Sequence, residues 1–311
     1  MNITRRTALI ATFWQSLGLR AMSQIANTGG KNTTDGYIDA HVHVWTTDFD
    51  RYPLAAGYTK AQMSPQTFTA DELLALANPL GINRVVLIQM IFYGFDNSYM
   101  LDCIGKYPGV FSGIAQIDEH GADPAAEMRR LKSLGVRGVR IFPLERGAHG
   151  WLDGAGMRAM WTTAAKERIA MCPLIDPDDL PAVDRMCRAF PDTPVVIDHF
   201  ARIGGDGQFR ESDLRELCAF AKHRQVYVKL SAFYFLGAKQ PPYTDVLPMI
   251  RHLLDAFCPE RLMWASDNPF QVQPPHSYQA SLELIRDRLD FATSSDKQWL
   301  LRRTAESLFF A

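Results

Sequence analysis

The chain has 311 residues, of which 47% are hydrophobic, so it can bury a core large enough for one α/β barrel or two smaller domains. Its 33 Lys and Arg residues nearly balance 34 Asp and Glu, and no run of like charge marks a tail or patch for nucleic acid. The composition therefore argues against a nucleic-acid partner and indicates a small neutral or anionic substrate.

The first 23 residues have the features of an export signal. The stretch T-R-R-T-A-L-I at residues 4–10 resembles a twin-arginine motif, and an A-x-A-like cleavage site ends at Ser23. The apolar stretch between them is too short to span a bilayer, so we expect no membrane anchor. We expect a periplasmic protein, with a cytoplasmic protein as the alternative. Residues 24–36 would form a linker and residues 37–311 the folded domain.

From residue 37 onward, short runs rich in β-branched residues alternate with longer amphipathic stretches, as in βα units around a parallel sheet. Eight strands are predicted, at residues 37–43, 84–89, 111–117, 138–142, 169–175, 194–199, 226–230 and 261–266.

The stretches between the strands carry helix start signals. Asp123-Pro124 precedes a helix at 125–134, Asp178-Asp179 one at 180–190, and Ser212-Asp213 one at 214–223. A last helix at about 296–309 would close the barrel floor or flank. Eight strands with intervening helices and no Gly/Ser linker predict a single-domain (β/α)8 TIM barrel rather than an open doubly wound sheet.

The first strand contains an H-x-H pair, His41 and His43. Because side chains alternate along a strand, both imidazoles point to the same side, at the mouth of the barrel. Such a pair can bind a divalent metal or polarise a substrate oxygen. A hydrogen-bonded pair with no chemical role is the alternative.

Strand 6 ends at His199, and Asp267 directly follows strand 8. A Ser-Asp pair at a strand end is often only a helix cap. However, TIM barrels keep their catalytic groups at the carboxyl ends of the strands, where His41, His43, His199 and Asp267 would meet. We interpret these four residues as a catalytic constellation.

The H-x-H of strand 1, the I-D-H-x-x-R at residues 197–202 and the W-x-S-D-x-P at residues 264–269 resemble the amidohydrolase-2 branch of the amidohydrolase superfamily. That branch includes lactonases for pyrone dicarboxylates and sugar lactones, and the resemblance runs from about residue 37 to residue 310. It implies a lactone hydrolase in which Asp267 is the general base for water and His199 polarises the carbonyl. His41 and His43 would hold a metal or donate hydrogen bonds to the oxyanion.

The resemblance also implies substrate-binding cations. Lactonases of this branch carry arginines that bind substrate carboxylates at places corresponding to Arg140, Arg146 and Arg202. Lys229 on strand 7 could be a further cation. These residues favour a carboxylated lactone, although a surface salt bridge is an equally good explanation for each arginine singly.

Metal-binding members of the family have a histidine on strand 5, where this chain reads A-M-C-P-L-I-D at residues 170–176. This absence favours a site without metal or other cofactor. The alternative is one zinc or manganese ion held by His41, His43 and Asp267.

Other functions stay open at this point. A metal-dependent decarboxylase or C–C hydrolase acting on an aromatic or keto acid is the second hypothesis, and a binding barrel without catalysis is the third. The family's D-W-P-H after strand 8 is D-N-P-F here, at residues 267–270, which leaves the identity of the substrate open. Family members are often dimers, so a homodimer is also open, although no surface stripe argues for one.

Overall fold

The structure is a computed structural model that describes residues 36–143 and 150–311. The predicted export signal at residues 1–23, the linker as far as residue 35, and Arg146 lie outside these residues. No helix in the described part of the chain is long and apolar enough to cross a membrane.

Eight parallel strands form one sheet in which each strand pairs with the next along the chain. The strands are β1 Tyr37–Val42, β2 Ile82–Ile88, β3 Phe111–Ala115, β4 Val136–Ile141, β5 Ala170–Pro173, β6 Val195–Ile197, β7 Val226–Leu230 and β8 Leu262–Trp264. The predicted TIM barrel with eight strands is therefore confirmed. β6 and β8 end before the predicted residues because the chain leaves the extended conformation as it enters the functional residues.

The barrel closes between β8 and β1 through a few hydrogen bonds rather than a regular ladder. The amide of Asp267 donates to the carbonyl of His41 over 2.9 Å, and the amide of His43 donates to the carbonyl of Asn268 over 2.8 Å. Below them, the amide of Ser266 donates to Oδ1 of the buried Asp39 over 2.9 Å. Closure is thus made by the segments that carry the candidate catalytic residues, which fixes their separation.

In the described residues, one α-helix lies between each pair of consecutive strands, and three more follow β8. They are α1 Ala70–Ala77, α2 Ser98–Lys106, α3 Pro124–Ser133, α4 Ala155–Glu167, α5 Leu180–Ala189, α6 Glu211–Ala219, α7 Leu247–Phe257, α8 Tyr278–Asp287, α9 Ser294–Gln298 and α10 Thr304–Phe309. The Asp123 carboxylate caps α3 by accepting from the amide of Ala126 over 2.8 Å, as predicted. The predicted start of α6 was wrong, since the helix begins at Glu211 and places Ser212 and Asp213 in its first turn.

The floor of the barrel is closed by the end of the chain. A π-helical turn, Trp299–Arg303, joins α9 to α10. Ala305 and Phe309 of α10 belong to the apolar cluster that fills the barrel interior, together with Ile38 of β1 and Met263 of β8. The last helix therefore closes the floor, which leaves the carboxyl ends of the strands as the open, functional face.

Candidate active site

His41 and His43 lie at the end of β1 with both rings on the inner side of the barrel. Their Nε2 atoms are 3.2 Å apart, and both residues are buried. Nδ1 of His43 is 3.0 Å from the carbonyl oxygen of Ile88 on β2. Because a carbonyl oxygen only accepts, we assign the proton of neutral His43 to Nδ1, which leaves a lone pair on Nε2.

Asp267 follows β8 and lies against both histidines. Its Oδ1 is 3.4 Å from Nε2 of His41 and 3.3 Å from Nε2 of His43. Its φ of 68° lies in the left-handed region, which is uncommon for residues other than glycine and recurs at functional sites. Burial alone would raise the pKa of Asp267, but interactions with His199, His43 and His41 in their protonated forms outweigh burial and hold the pKa below its ordinary value. The carboxylate is therefore ionised at neutral pH.

The backbone after β6 makes an unusual turn at the site. His199–Arg202 form four consecutive non-glycine residues with φ between 51° and 56°. Each such residue costs on the order of 1–3 kcal/mol and persists only where packing enforces it. Phe200 and Ala201 within the turn are completely buried, which supplies that packing. The turn directs His199 and Arg202 to the cavity side of the barrel.

His199 faces the carboxylate of Asp267. Its Nδ1 is 2.8 Å from Oγ of Ser231, and its Nε2 is 3.8 Å from Oδ2 of Asp267. Because the carboxylate only accepts, we assign the proton to Nε2 and let the Ser231 hydroxyl donate to Nδ1. Burial lowers the pKa of His199 to about 4, against the opposing effect of Asp267. At neutral pH, His199 is thus an uncharged hydrogen-bond donor toward the cavity.

Lys229 lies beneath His41 rather than at the cavity. Its completely buried Nζ is 2.9 Å from Oδ1 of Asp198 and 3.2 Å from Nδ1 of His41. Burial would raise the pKa of Asp198. The charge of Lys229 and the interactions with His41 outweigh burial and hold the pKa well below its ordinary value. The sequence predicted a substrate-binding role for Lys229. The structure instead makes it the counter-ion of Asp198 and a support for His41.

Arg140 and Arg202 both line the cavity, and Arg146 lies outside the described residues. Nη1 of Arg140 is 3.4 Å from Nε2 of both His41 and His43. Arg140 is 6% exposed and has no carboxylate within 4.0 Å among the described residues, so its charge is available to an anion. Arg202 differs, because its Nε lies 2.7 Å from Oδ1 of Asp176.

These side chains surround a cavity of about 230 Å³ at the mouth of the barrel. Met90, Leu174, Ala232 and Phe270 provide apolar wall. The polar side chains that line it are His43, Arg140, His199, Arg202, Tyr234 and Asp267. A small apolar pocket with a few converging polar groups is the usual form of an enzyme site.

His41, His43 and Asp267 also fit a divalent metal ion. Their three facing atoms are separated by 3.2, 3.4 and 3.3 Å. These are the edge lengths of a tetrahedron centred on an ion at about 2.0–2.1 Å from each atom, the usual zinc–nitrogen distance. Oδ1 of Asp267 is buried without a hydrogen-bond partner among the described residues, as expected for a metal ligand. This donor set is complete without the strand-5 histidine whose absence favoured a site without metal.

Tyr234 was not singled out by the sequence. Its hydroxyl donates to Oδ2 of Asp267 over 2.7 Å, and its ring lines the cavity. It lies four residues after β7, in a loop without a recognisable motif. Its position at the carboxyl end of a barrel strand was the only signal that could have identified it.

Comparisons with known proteins relate the chain to a family and a fold. The amidohydrolase family model matches residues 38–311. The chain is 30% identical to 4-sulfomuconolactone hydrolase of Rhizobium radiobacter over 75% of this chain and 76% of that protein. It is 27% identical to L-fucono-1,5-lactonase of Burkholderia ambifaria, over 75% of this chain and 80% of the other. An amidohydrolase of Burkholderia multivorans with bound zinc has the same fold, with a TM-score of 0.72 at 18% identity over 89% of this chain and 99% of that chain.

Proposed function

Because this chain belongs to the amidohydrolase family, we propose that it is a hydrolase that opens the ring of a lactone. The observation that carries the proposal is the convergence of Asp267, His199 and His43 on one cavity at the carboxyl ends of the strands, with the buried His41 in contact with Asp267. Its relatives include a hydrolase of a sulfonated lactone and a hydrolase of a sugar lactone, both of which act on cyclic esters.

Asp267 is the general base of the proposed reaction. Its ionised carboxylate accepts a proton from a water molecule as the water oxygen attacks the carbonyl carbon of the lactone. The bond between that carbon and the ring oxygen then breaks, and the ring oxygen takes the proton back from Asp267 to become a hydroxyl. The hydroxyl of Tyr234 donates a hydrogen bond to Oδ2, so Oδ1 is the oxygen that faces His41 and His43.

His199 and Arg140 stabilise the charge that develops during the attack. Nε2–H of His199 is a neutral donor at the cavity wall and can polarise the carbonyl of the substrate. The guanidinium of Arg140 is fixed beside both histidines and can bind the oxyanion or an anionic substituent of the lactone. Donors that are held in place in a site shielded from water contribute strongly to lowering the barrier.

We propose that His41, His43 and Asp267 hold one divalent cation, zinc or manganese. When bound, such an ion acts as a Lewis acid toward a carbonyl oxygen and lowers the pKa of water. Contacts at the Nδ1 atoms orient the two rings for this task. Nδ1 of His43 contacts the carbonyl of Ile88, and Nδ1 of His41 contacts Asp198 and Lys229. Partners of this kind fix the ring orientation of metal-binding histidines.

The proposal is tested by following acid release from a panel of lactones, including an unsaturated γ-lactone with an anionic substituent and an aldono-1,5-lactone. We expect turnover of at least one, and a fall in kcat of about 10²–10⁴-fold in Asp267→Asn with the circular dichroism spectrum unchanged. Asp192→Asn, an exposed change far from the cavity lining, is the matched control. Failure to open any lactone would reject the function, whereas near-normal activity of Asp267→Asn would reject only the assignment of the base.

A further inference from the structure

A second cavity of about 440 Å³ adjoins the reactive cavity described above. The two share Arg202 and Phe235 as wall residues. We propose that the second cavity is a subsite for an uncharged, hydroxyl-rich extension of the substrate, such as a second sugar unit attached to a sugar lactone. This inference rests on the proposed lactone hydrolysis and specifies its substrate.

The size of the two cavities supports a substrate in two parts. Sites for small molecules usually enclose about 300–1,000 Å³. The reactive cavity, at about 230 Å³, is below this range and suits one small ring, whereas the two cavities together fall within it. A substrate that filled only the reactive cavity would leave the larger space beside it without a role.

The polar lining of the second cavity offers both donors and acceptors. Arg202 lies 2.7 Å from Asp176, Arg210 lies 2.6 Å from Asp206, and the carboxylate of Asp178 adds a further acceptor. A sugar hydroxyl both donates and accepts, so it can bind beside such guanidinium and carboxylate pairs without bringing a charge of its own.

The charge of this lining argues against an anionic extension. Among the described residues, three carboxylates and two guanidinium groups line the cavity, and both guanidinium groups already have a carboxylate partner. Within this described lining, carboxylates outnumber guanidinium groups, so binding an added anion beside them is unfavourable. The second cavity therefore differs from the surroundings of Arg140, a cation that faces the reactive cavity and has no carboxylate partner in the described part of the chain.

The shared wall also provides an apolar surface. Phe235 lines both cavities, and the C–H faces of a sugar ring pack well on an aromatic side chain. Gly205 leaves room for the Phe235 ring, because a Cβ atom at this position would lie only 2.7 Å from Cε1 of Phe235. An extended substrate could therefore pass along Phe235 from one cavity to the other.

The test compares binding of gluconate with that of its glycosylated forms, maltobionate and lactobionate, to the full chain by titration calorimetry. We expect at least one disaccharide acid to bind about tenfold more tightly than gluconate, which corresponds to about 1.4 kcal/mol. The double variant Asp206→Asn/Arg210→Gln should lose most of this preference while its affinity for gluconate is unchanged. Glu211→Gln/Arg215→Gln removes a comparable exposed ion pair on α6 and is the matched control.

Equal affinity for the three acids, or an equal loss for gluconate and the disaccharide acids in the double variant, would overturn the subsite. Rates of lactone opening by the unmodified protein are measured separately. An enzyme that opens lactones but shows no preference for the longer acid retains the proposed function and loses the subsite. A preference for the longer acid without any lactone opening would support the sugar site and reject the proposed reaction.

Discussion

The hydroxyl of Tyr234 donates a hydrogen bond of 2.7 Å to Oδ2 of Asp267, across 33 residues of sequence. This bond leaves the other carboxylate oxygen directed at His41 and His43. Burial is the main cause that holds the pKa of Tyr234 well above its ordinary value, and the charge of Asp267 adds to it. The phenol therefore keeps its proton and acts as a donor. Tyr234 is therefore a positioning residue for the proposed base.

Tyr234→Phe should lower kcat by about 10–100-fold, the usual effect of removing a group that orients a catalytic or metal-binding residue. KM should change less than kcat, because the aromatic ring that lines the cavity is retained. Steady-state kinetics on any lactone that the enzyme opens would measure both. Tyr243→Phe is the matched control, since that hydroxyl contacts Gln271 and His276 rather than Asp267. Equal effects of the two changes would contradict the positioning role.

The metal content of the purified protein shows whether His41 and His43 bind a metal ion or donate hydrogen bonds to the oxyanion. The donor geometry predicts about one zinc or manganese ion per purified chain, measured by elemental analysis. His43→Ala should lose this ion while the protein stays folded, because the variant removes one of three facing donor atoms. His120→Ala should retain it, since that side chain is 82% exposed. A protein that contains no metal and still opens lactones would make the histidines hydrogen-bond donors instead, as the sequence had favoured.

The pair formed by Lys229 and Asp198 should be required for folding stability. Removing one member of a buried ion pair typically costs about 3–5 kcal/mol, because the other charge is left without a partner. Lys229→Met should therefore lower the free energy of unfolding by about that amount in urea titrations. Lys229→Met/Asp198→Asn, which also removes the remaining charge, should recover much of the loss. A double variant no more stable than Lys229→Met would show that the two charges are not coupled.

Most of the fold could be predicted because the βα rhythm is carried by local composition. β7 has the predicted bounds, residues 226–230, since polar Gln225 and Ser231 flank its V-Y-V-K-L sequence. The ends of β6 and β8 could not be predicted. His199 and Asp267 take positive φ values of 51° and 68°, and no glycine in the sequence signals these turns.

The candidate site could be predicted as far as its strand ends. His41, His43, His199 and Asp267 meet as predicted because the carboxyl ends of all strands open onto one face. The partners of these residues could not be predicted. The alternation of side chains did not show whether Lys229 faces the cavity or the barrel interior. Its contact with Asp198 depends on how β7 is staggered relative to β6.

The pH dependence of stability should reveal how the last helix is attached to the barrel. Glu306 on α10 pairs with Arg302 and with Arg84 of β2. Hydrogen bonds from Arg302 outweigh burial and, with those from Arg84, lower the pKa of Glu306 from 4.5 to about 2. A carboxyl group whose pKa is lower in the folded state stabilises the protein above its unfolded pKa, and this contribution is lost as the pH falls through the folded pKa. Since the Glu306 side chain is 37% exposed, solvent screening limits the contribution to about 0.5–1 kcal/mol.

Glu306→Gln should thus be less stable than the unmodified protein above pH 4.5, with the difference shrinking toward pH 2, in urea unfolding followed by circular dichroism. Glu216→Gln, an exposed change on α6, is the control, and a stability difference for Glu306→Gln that does not change with pH would contradict the ion-pair explanation.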